Sequence, residues 1–254
     1  NAEFVYSAIS SDGSALLYAS KRFRSIRRFV LKAAETWGSI LRYCDKRFCN
    51  DAEIVMKAVK NTNWVFQYAS SRLKSDPDVV REIVRVNGDA IRYVSASIRT
   101  REMMILASKT SLNVIFYFPE TGDDELVVSE LIQRMPVLPY CSARICATKS
   151  VVTRAVSYFG KTLRFASDDL RDDLDVVLAA VRSDGLSLVY ASARMQKMPL
   201  VALEALKTTW QAIHIIRHEL CSDHAFQERV IVDDDICKYV KLLLLRHNDE
   251  VEGK

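Results

Sequence analysis

A chain of 254 residues is long for one compact core and short for three, so its length admits one or two globular domains or one elongated array. With 49% hydrophobic and 27% charged residues it has a folding composition, and its 7 Gly and 5 Pro leave too little turn chemistry for a many-stranded sandwich or barrel. Its net charge of +4 is uneven: residues 1 to 100 carry 17 basic and 10 acidic side chains, residues 101 to 254 carry 19 and 22, so the amino-terminal part is the better match for an anionic partner.

The predicted elements repeat along the chain. Aligned on the aromatic of a Tyr-Ala-Ser-like triplet, Tyr18, Tyr43, Tyr68, Tyr93, Phe118, Tyr140, Phe165 and Tyr190 are spaced by 25 residues at every step except one of 22. Five residues earlier a second column reads Gly13, Gly38, Asn63, Gly88 and Asn113, then Gly160 and Gly185, so five of the seven Gly share one position. A third column, ten before the aromatic, is Ala8, Ala33, Ala58, Ile83, Ala155 and Ala180, with Ala205 in register beyond. The units run 3–25, 26–50, 51–75, 76–100, 101–124, 125–147, 148–172, 173–197, 198–222 and 223–246.

The unit from Asp173 to Lys197 gives each column a physical role. Asp173 suits an N-cap, and Leu174 to Val181 are helix formers with small Ala at close-approach positions. Ser183-Asp184-Gly185 reads as a turn in which Gly supplies the positive φ that ends a helix. Leu188, Ala191 and Met195 then mark one face of a second helix, as do Leu16, Ala19 and Phe23 in the first unit and Phe66, Ala69 and Leu73 in the third. Each unit is thus predicted to be a helical hairpin with helices of about ten residues, too short to stand alone. The predicted fold is all-α: a right-handed α-solenoid of about ten 25-residue helical-hairpin repeats, stabilised by stacking.

The array is expected to comprise amino-terminal repeats over 1–118, an irregular acidic junction over 119–125, where the 22-residue step falls, and carboxy-terminal repeats with a polar cap over 126–254. Because the chain opens on Asn1 and enters a repeat at once, it reads as a processed form or part of a longer array. No apolar run approaches the roughly 20 residues needed to cross a bilayer.

Units such as DLDVVLAAVRSDGLSLVYASARMQ and DAEIVMKAVKNTNWVFQYASSRLKS resemble the repeat called domain of unknown function 4116, an Asp-x-x-Val-Val-x-x-Ala-Val helix followed by a Gly-x-x-Leu-x-Tyr-Ala-Ser helix. The resemblance is strongest in 3–100 and 148–197. It implies no shared activity and brings no catalytic residues.

Candidate sites follow from the columns. The aromatic column invites a base-stacking reading, although Tyr at one phase of an amphipathic helix is the ordinary inter-repeat packing residue. Four after the aromatic stand Arg22, Arg47, Arg72, Arg144 and Arg194, interrupted by Ser97, Asp169 and Glu219. This ladder of planar guanidinium forks suits carboxylate or phosphate, hence an acidic protein segment, an RNA backbone or an anionic surface; the plainer account pairs it with acids such as Asp76 or Asp78 within the array. His214, His218 and Cys221 share helical spacing with His224 just beyond, but match no ordinary zinc signature, so no metal and no cofactor are expected. Six Cys without a CxxC pair point to a reducing, intracellular setting, with a mitochondrion or plastid left open. Cys44 and Cys49, like Cys141 and Cys146, stand about 140° apart if each pair lies on one helix, so they read as packing thiols that do not bridge. The leading expectation is a non-catalytic scaffold mediating protein–protein interaction, an accessory subunit of a larger intracellular assembly; the alternative is an RNA-binding solenoid using the Arg ladder.

Overall fold

The computed structural model describes residues 2–216, 220, 222–236, 238, 240 and 241. Among these, all regular structure is helical and no strand forms. The chain divides into two compact units, Asn1–Pro119 and Glu120–Lys254.

The stretch from Asp173 displays the recurring anatomy. The Asp173 carboxylate accepts from the N–H groups of Asp175 and Val176 at 3.1 and 3.3 Å, capping the α-helix Leu174–Ser183. Asp184, extended at φ −155°, caps a 3-10 helix, Gly185–Tyr190, by accepting from the Leu186 N–H. After Ala191 and Ser192, also extended, one α-helical turn, Ala193–Gln196, follows. The second helix expected as one ten-residue piece is therefore two short pieces with a break between them. Apolar residues three and six after the Gly match the three-residue turn of a 3-10 helix. The break then lets Met195, ten after the Gly, reach the core: Leu188 and Met195 are fully buried and Ala191 nearly so. Phe66, Ala69 and Leu73 behave alike, whereas Ala19 and Phe23 are only half-buried.

In the first unit the long α-helices are Ala2–Ser11, Arg27–Ala34, Ala52–Asn61, Pro77–Val86 and Arg101–Ser108, and each packs against the next in sequence. In the second unit Lys149–Tyr158, Leu174–Ser183 and Pro199–Thr208 pack in the same serial way. Asp51, Asp76 and Asp124 cap their helices as Asp173 does. The acidic stretch expected to be irregular is a 3-10 helix, Pro119–Asp123, directly followed by the Asp124 cap.

The glycine column serves a different purpose from the one its sequence suggests. No residue, glycine or other, has a positive φ among the described residues. Each Gly of the column instead begins a 3-10 helix laid directly on the long helix of the following repeat. A Cβ on Gly160 would stand 2.5 Å from the Ala180 carbonyl oxygen and 2.6 Å from Ser187 Oγ. Gly13, Gly38, Gly88 and Gly185 press in the same way on the carbonyls of Ala33, Ala58, Ala107 and Ala205. The Gly and Ala columns are thus two sides of one inter-repeat contact, with the Gly N–H donating to the hydroxyl of Thr36 (2.9 Å), Thr110 (2.8 Å) or Ser183 (3.3 Å). At Asn63, which is exposed, the partner position holds Ile83 rather than Ala.

Candidate functional site

The Arg column is positioned by the single α-helical or 3-10 turn that follows each Tyr-Ala-Ser triplet. The triplet Ser donates its backbone N–H across the repeat boundary: Ser70 to the Cys49 carbonyl (2.8 Å), Ser95 to Lys74 (3.0 Å), Ser142 to Gly122 (3.0 Å), Ser167 to Cys146 (2.9 Å) and Ser192 to Arg171 (2.9 Å). This bond aims the Arg two residues later at the next residue of the preceding repeat. Arg72 donates from Nε to Asn50 Oδ1 (2.8 Å) and from Nη2 to the Asn50 carbonyl (3.1 Å). Arg194 embraces Asp172, with Nε to Oδ1 and Oδ2 at 3.1 Å and Nη2 to the carbonyl at 2.7 Å. Arg144 reaches Asp123 Oδ1 (3.0 Å) and the Asp123 carbonyl, and Glu125 Oε1 at 3.2 Å. Arg47 donates to the Ser25 carbonyl and lies 3.5 Å from Asp45.

Each of these four guanidinium groups ties down the carboxy-terminal carbonyl of the preceding repeat, whose unsatisfied acceptors would otherwise face water. The hydrogen bonds have electrostatic consequences. Those from Arg194 and Ser192 hold the Asp172 carboxyl below its ordinary range, and those from Ser142 and Arg144 do the same for Asp123. All four Arg side chains remain between 56% and 61% exposed, so their outer edges still meet solvent. Arg22, exposed, makes no side-chain hydrogen bond or ion pair among the described residues. Arg72 also lies 3.9 Å from Asp76, the pairing within the array that the sequence allowed. A second set of cross-repeat bridges had no signal in the columns followed: Arg27 binds Asp51 (2.6 Å) and Glu53 (2.5 Å), and Lys149 binds Asp173 (2.7 Å) and Asp175 (2.9 Å). The acids are the N-cap and the residue two beyond it, so the regularity was present in the capping column.

The aromatic column lies at the surface edge. Tyr18 is 90% exposed, Tyr43 and Tyr140 are half-exposed, and Phe118 is buried. Where the preceding residue is Arg, its guanidinium lies over the ring, Arg42 on Tyr43 at 5.5 Å, Arg92 on Tyr93 at 4.9 Å and Arg164 on Phe165 at 4.5 Å. Arg92 is also 4.8 Å from the Tyr117 ring, and Tyr43 stacks on Trp37.

Of the histidine cluster, His214 is exposed and lies edge-on to Trp210, and His224 pairs with Glu228 at 3.5 Å. His218, Cys221 and Glu219 lie outside the described residues, among which no group of three or more His, Cys, Asp or Glu is placed to hold a metal ion. No helix among the described residues is long and apolar enough to cross a membrane.

Serially packed helical units with a shared period and shared inter-repeat bonds define a helical-repeat protein. The family model described as Domain of unknown function (DUF4116) matches residues 26–71, 51–99 and 148–196, and the chain carries repeats of that family. No curated protein and no solved structure matches the chain.

Proposed function

We propose that the chain is a non-catalytic α-solenoid of about ten repeats that serves as a scaffold for other proteins, an accessory subunit of a larger intracellular assembly. The observation that carries this reading is the use made of the repeating residues. The Gly, Ala, Ser and capping Asp columns, and the inner edges of Arg47, Arg72, Arg144 and Arg194, are spent on holding one repeat to the next. What remains for a partner within each unit is a repetitive surface, the kind on which helical-repeat proteins seat other chains. The outer edges of the Arg column, with Arg22, are the surface we assign to an acidic protein segment.

The second reading, RNA along the same column, draws support from the Arg-on-aromatic pairs at Tyr43, Tyr93 and Phe165 and from the basic charge of residues 1 to 100. Titration of single-stranded RNA at several salt concentrations separates the two. The scaffold reading expects weak binding that is indifferent to replacing Arg22, Arg47 and Arg72 together. A steep fall of affinity with salt, flattened in that triple variant, would overturn it in favour of RNA.

A further inference from the structure

Two thiol pairs occupy the same two positions of the repeat, one pair in each unit: Cys44 and Cys49, one and six after Tyr43, and Cys141 and Cys146, one and six after Tyr140. Their spacing does not lie on one helix. Cys44 follows the 3-10 helix Gly38–Arg42 and Cys49 sits inside the next, Lys46–Asn50, with the chain breaking direction between them. That break folds the second thiol back toward the first. Both Sγ atoms donate to the carbonyl oxygen of Leu41, Cys44 at 3.8 Å and Cys49 at 3.5 Å, so one acceptor gathers the two thiols.

Other repeats explain each cysteine singly but not the pair. At the first position stand Ala69, Ala166 and Ala191, small and buried or nearly so. At the second, Gln196 donates to the Leu188 carbonyl at 3.2 Å, the equivalent of Leu41. A thiol replacing each is adequate packing; two thiols gathered at one carbonyl oxygen add a chemistry that neither replacement requires.

We propose that Cys44 and Cys49 form a redox-active dithiol, oxidised to an intramolecular disulfide by small disulfides of the glutathione type, with Cys49 attacking and Cys44 resolving. The Cys49 thiolate attacks one sulfur of the disulfide and expels one thiolate, leaving a mixed disulfide on Cys49. Cys44 then loses its proton to solvent base and attacks the Cys49 sulfur, expelling the second thiolate. Two protein thiols are oxidised and one small disulfide is reduced to two thiols.

The surroundings assign these roles. The neighbouring Cys44 thiol, followed by the charges of Lys46 and Lys74, brings Cys49 down to about 7, against the opposing effects of burial and Asp45. Cys44 is held protonated chiefly by the neighbouring Cys49 thiolate, then by burial, and the effect of Cys49 vanishes once it is in the mixed disulfide. The second pair lacks this cationic setting. Burial, with the Cys146 charge, pushes Cys141 up to about 12, burial raises Cys146, and no lysine charge among the described residues offsets either. Oxidation would also act at a joint between repeats, because the Cys49 carbonyl receives the Ser70 N–H at 2.8 Å.

The test uses the full reduced chain. Alkylation with iodoacetamide, followed by peptide mapping at several pH values, should label Cys49 at least roughly tenfold faster than Cys141 or Cys146 at pH 7, with a rate midpoint near 7. Incubation with glutathione disulfide and acid quenching should then give a Cys44–Cys49 disulfide while Cys141 and Cys146 stay reduced, and C44S should stop at glutathione on Cys49. Equal labelling of Cys49 and Cys146, or no Cys44–Cys49 disulfide in the wild-type chain, would overturn the proposal. The wild-type measurements stand even if a variant fails to fold.

Discussion

Gly160→Ala isolates the contact that joins successive repeats, because two physical effects predict opposite signs for it. Gly160 has no positive φ, so an alanine fits its backbone and, by restricting the unfolded chain alone, would stabilise by about 0.4–1 kcal/mol. The folded structure has no room for that methyl. Its nearest neighbour, at 2.5 Å, is the Ala180 carbonyl oxygen, whereas an ordinary contact begins at 3.4 Å. The carbonyl belongs to the helix Leu174–Ser183 and already receives Asp184 N at 2.9 Å, so no rotamer change relieves the clash. The 3-10 helix must lift from the next repeat, stretching the 3.3 Å bond from Gly160 N to Ser183 Oγ. Overpacking of this kind costs about 1–3 kcal/mol, and that loss should dominate. In urea denaturation the midpoint should fall by roughly 0.3–1 M at a slope near 3 kcal/mol/M, with the slope unchanged. Asn63→Ala, at the exposed member of the same column, should change stability by less than about 0.5 kcal/mol. A Gly160→Ala protein as stable as wild type, or more so, would refute the close-approach account.

Other expectations concern the core, the caps and the bridges. Leu188→Ala, at a fully buried position, should cost about 2–5 kcal/mol, and Val189→Ala, at 49% exposure, less than about 0.5 kcal/mol, both read by chemical denaturation. Asp173→Ala removes a cap and should cost about 1 kcal/mol, while Asp173→Asn, which can still accept from the helix N–H groups, should lose less. Arg72→Ala should speed amide exchange at Ser70 and lower stability by no more than about 1 kcal/mol, and Arg22→Ala should leave both unchanged. Asp123, Asp172 and Asp173 all titrate below the ordinary value of 3.8, so their contribution is complete above that pH and is lost as the pH falls through their lower folded values. A thermal melting series in acid should therefore show stability falling below about pH 4, and flat melting temperatures there would contradict the bridges.

The period, the helical class, the family resemblance and the Asp caps are legible in the residues because each is a local or columnar property. The misreadings share one cause, that a column records a recurring requirement without saying which requirement. Gly185 is equally demanded by a positive φ and by a carbonyl pressed against its Cα, and only the neighbouring repeat decides between them. The spacing of Leu188, Ala191 and Met195 fits one α-helix or a 3-10 helix, a break and a turn, since both bring residues three and seven apart to one side. For Arg194 the sequence allows both a ligand's anion and an acid within the array; which acid meets its inner edge is legible only in the neighbouring column, where Asp172 recurs as Asn50 and Asp123. The angle between Cys44 and Cys49 assumed a continuous helix that the chain does not form.

The most direct test of the scaffold account is affinity purification of the tagged chain from its native cell, at low and moderate salt, with nuclease-treated and untreated halves compared by mass spectrometry. The account predicts one fixed set of co-purifying proteins that survives both salt and nuclease. Recovery that disappears with nuclease, or a chain that purifies alone at either salt, would contradict it.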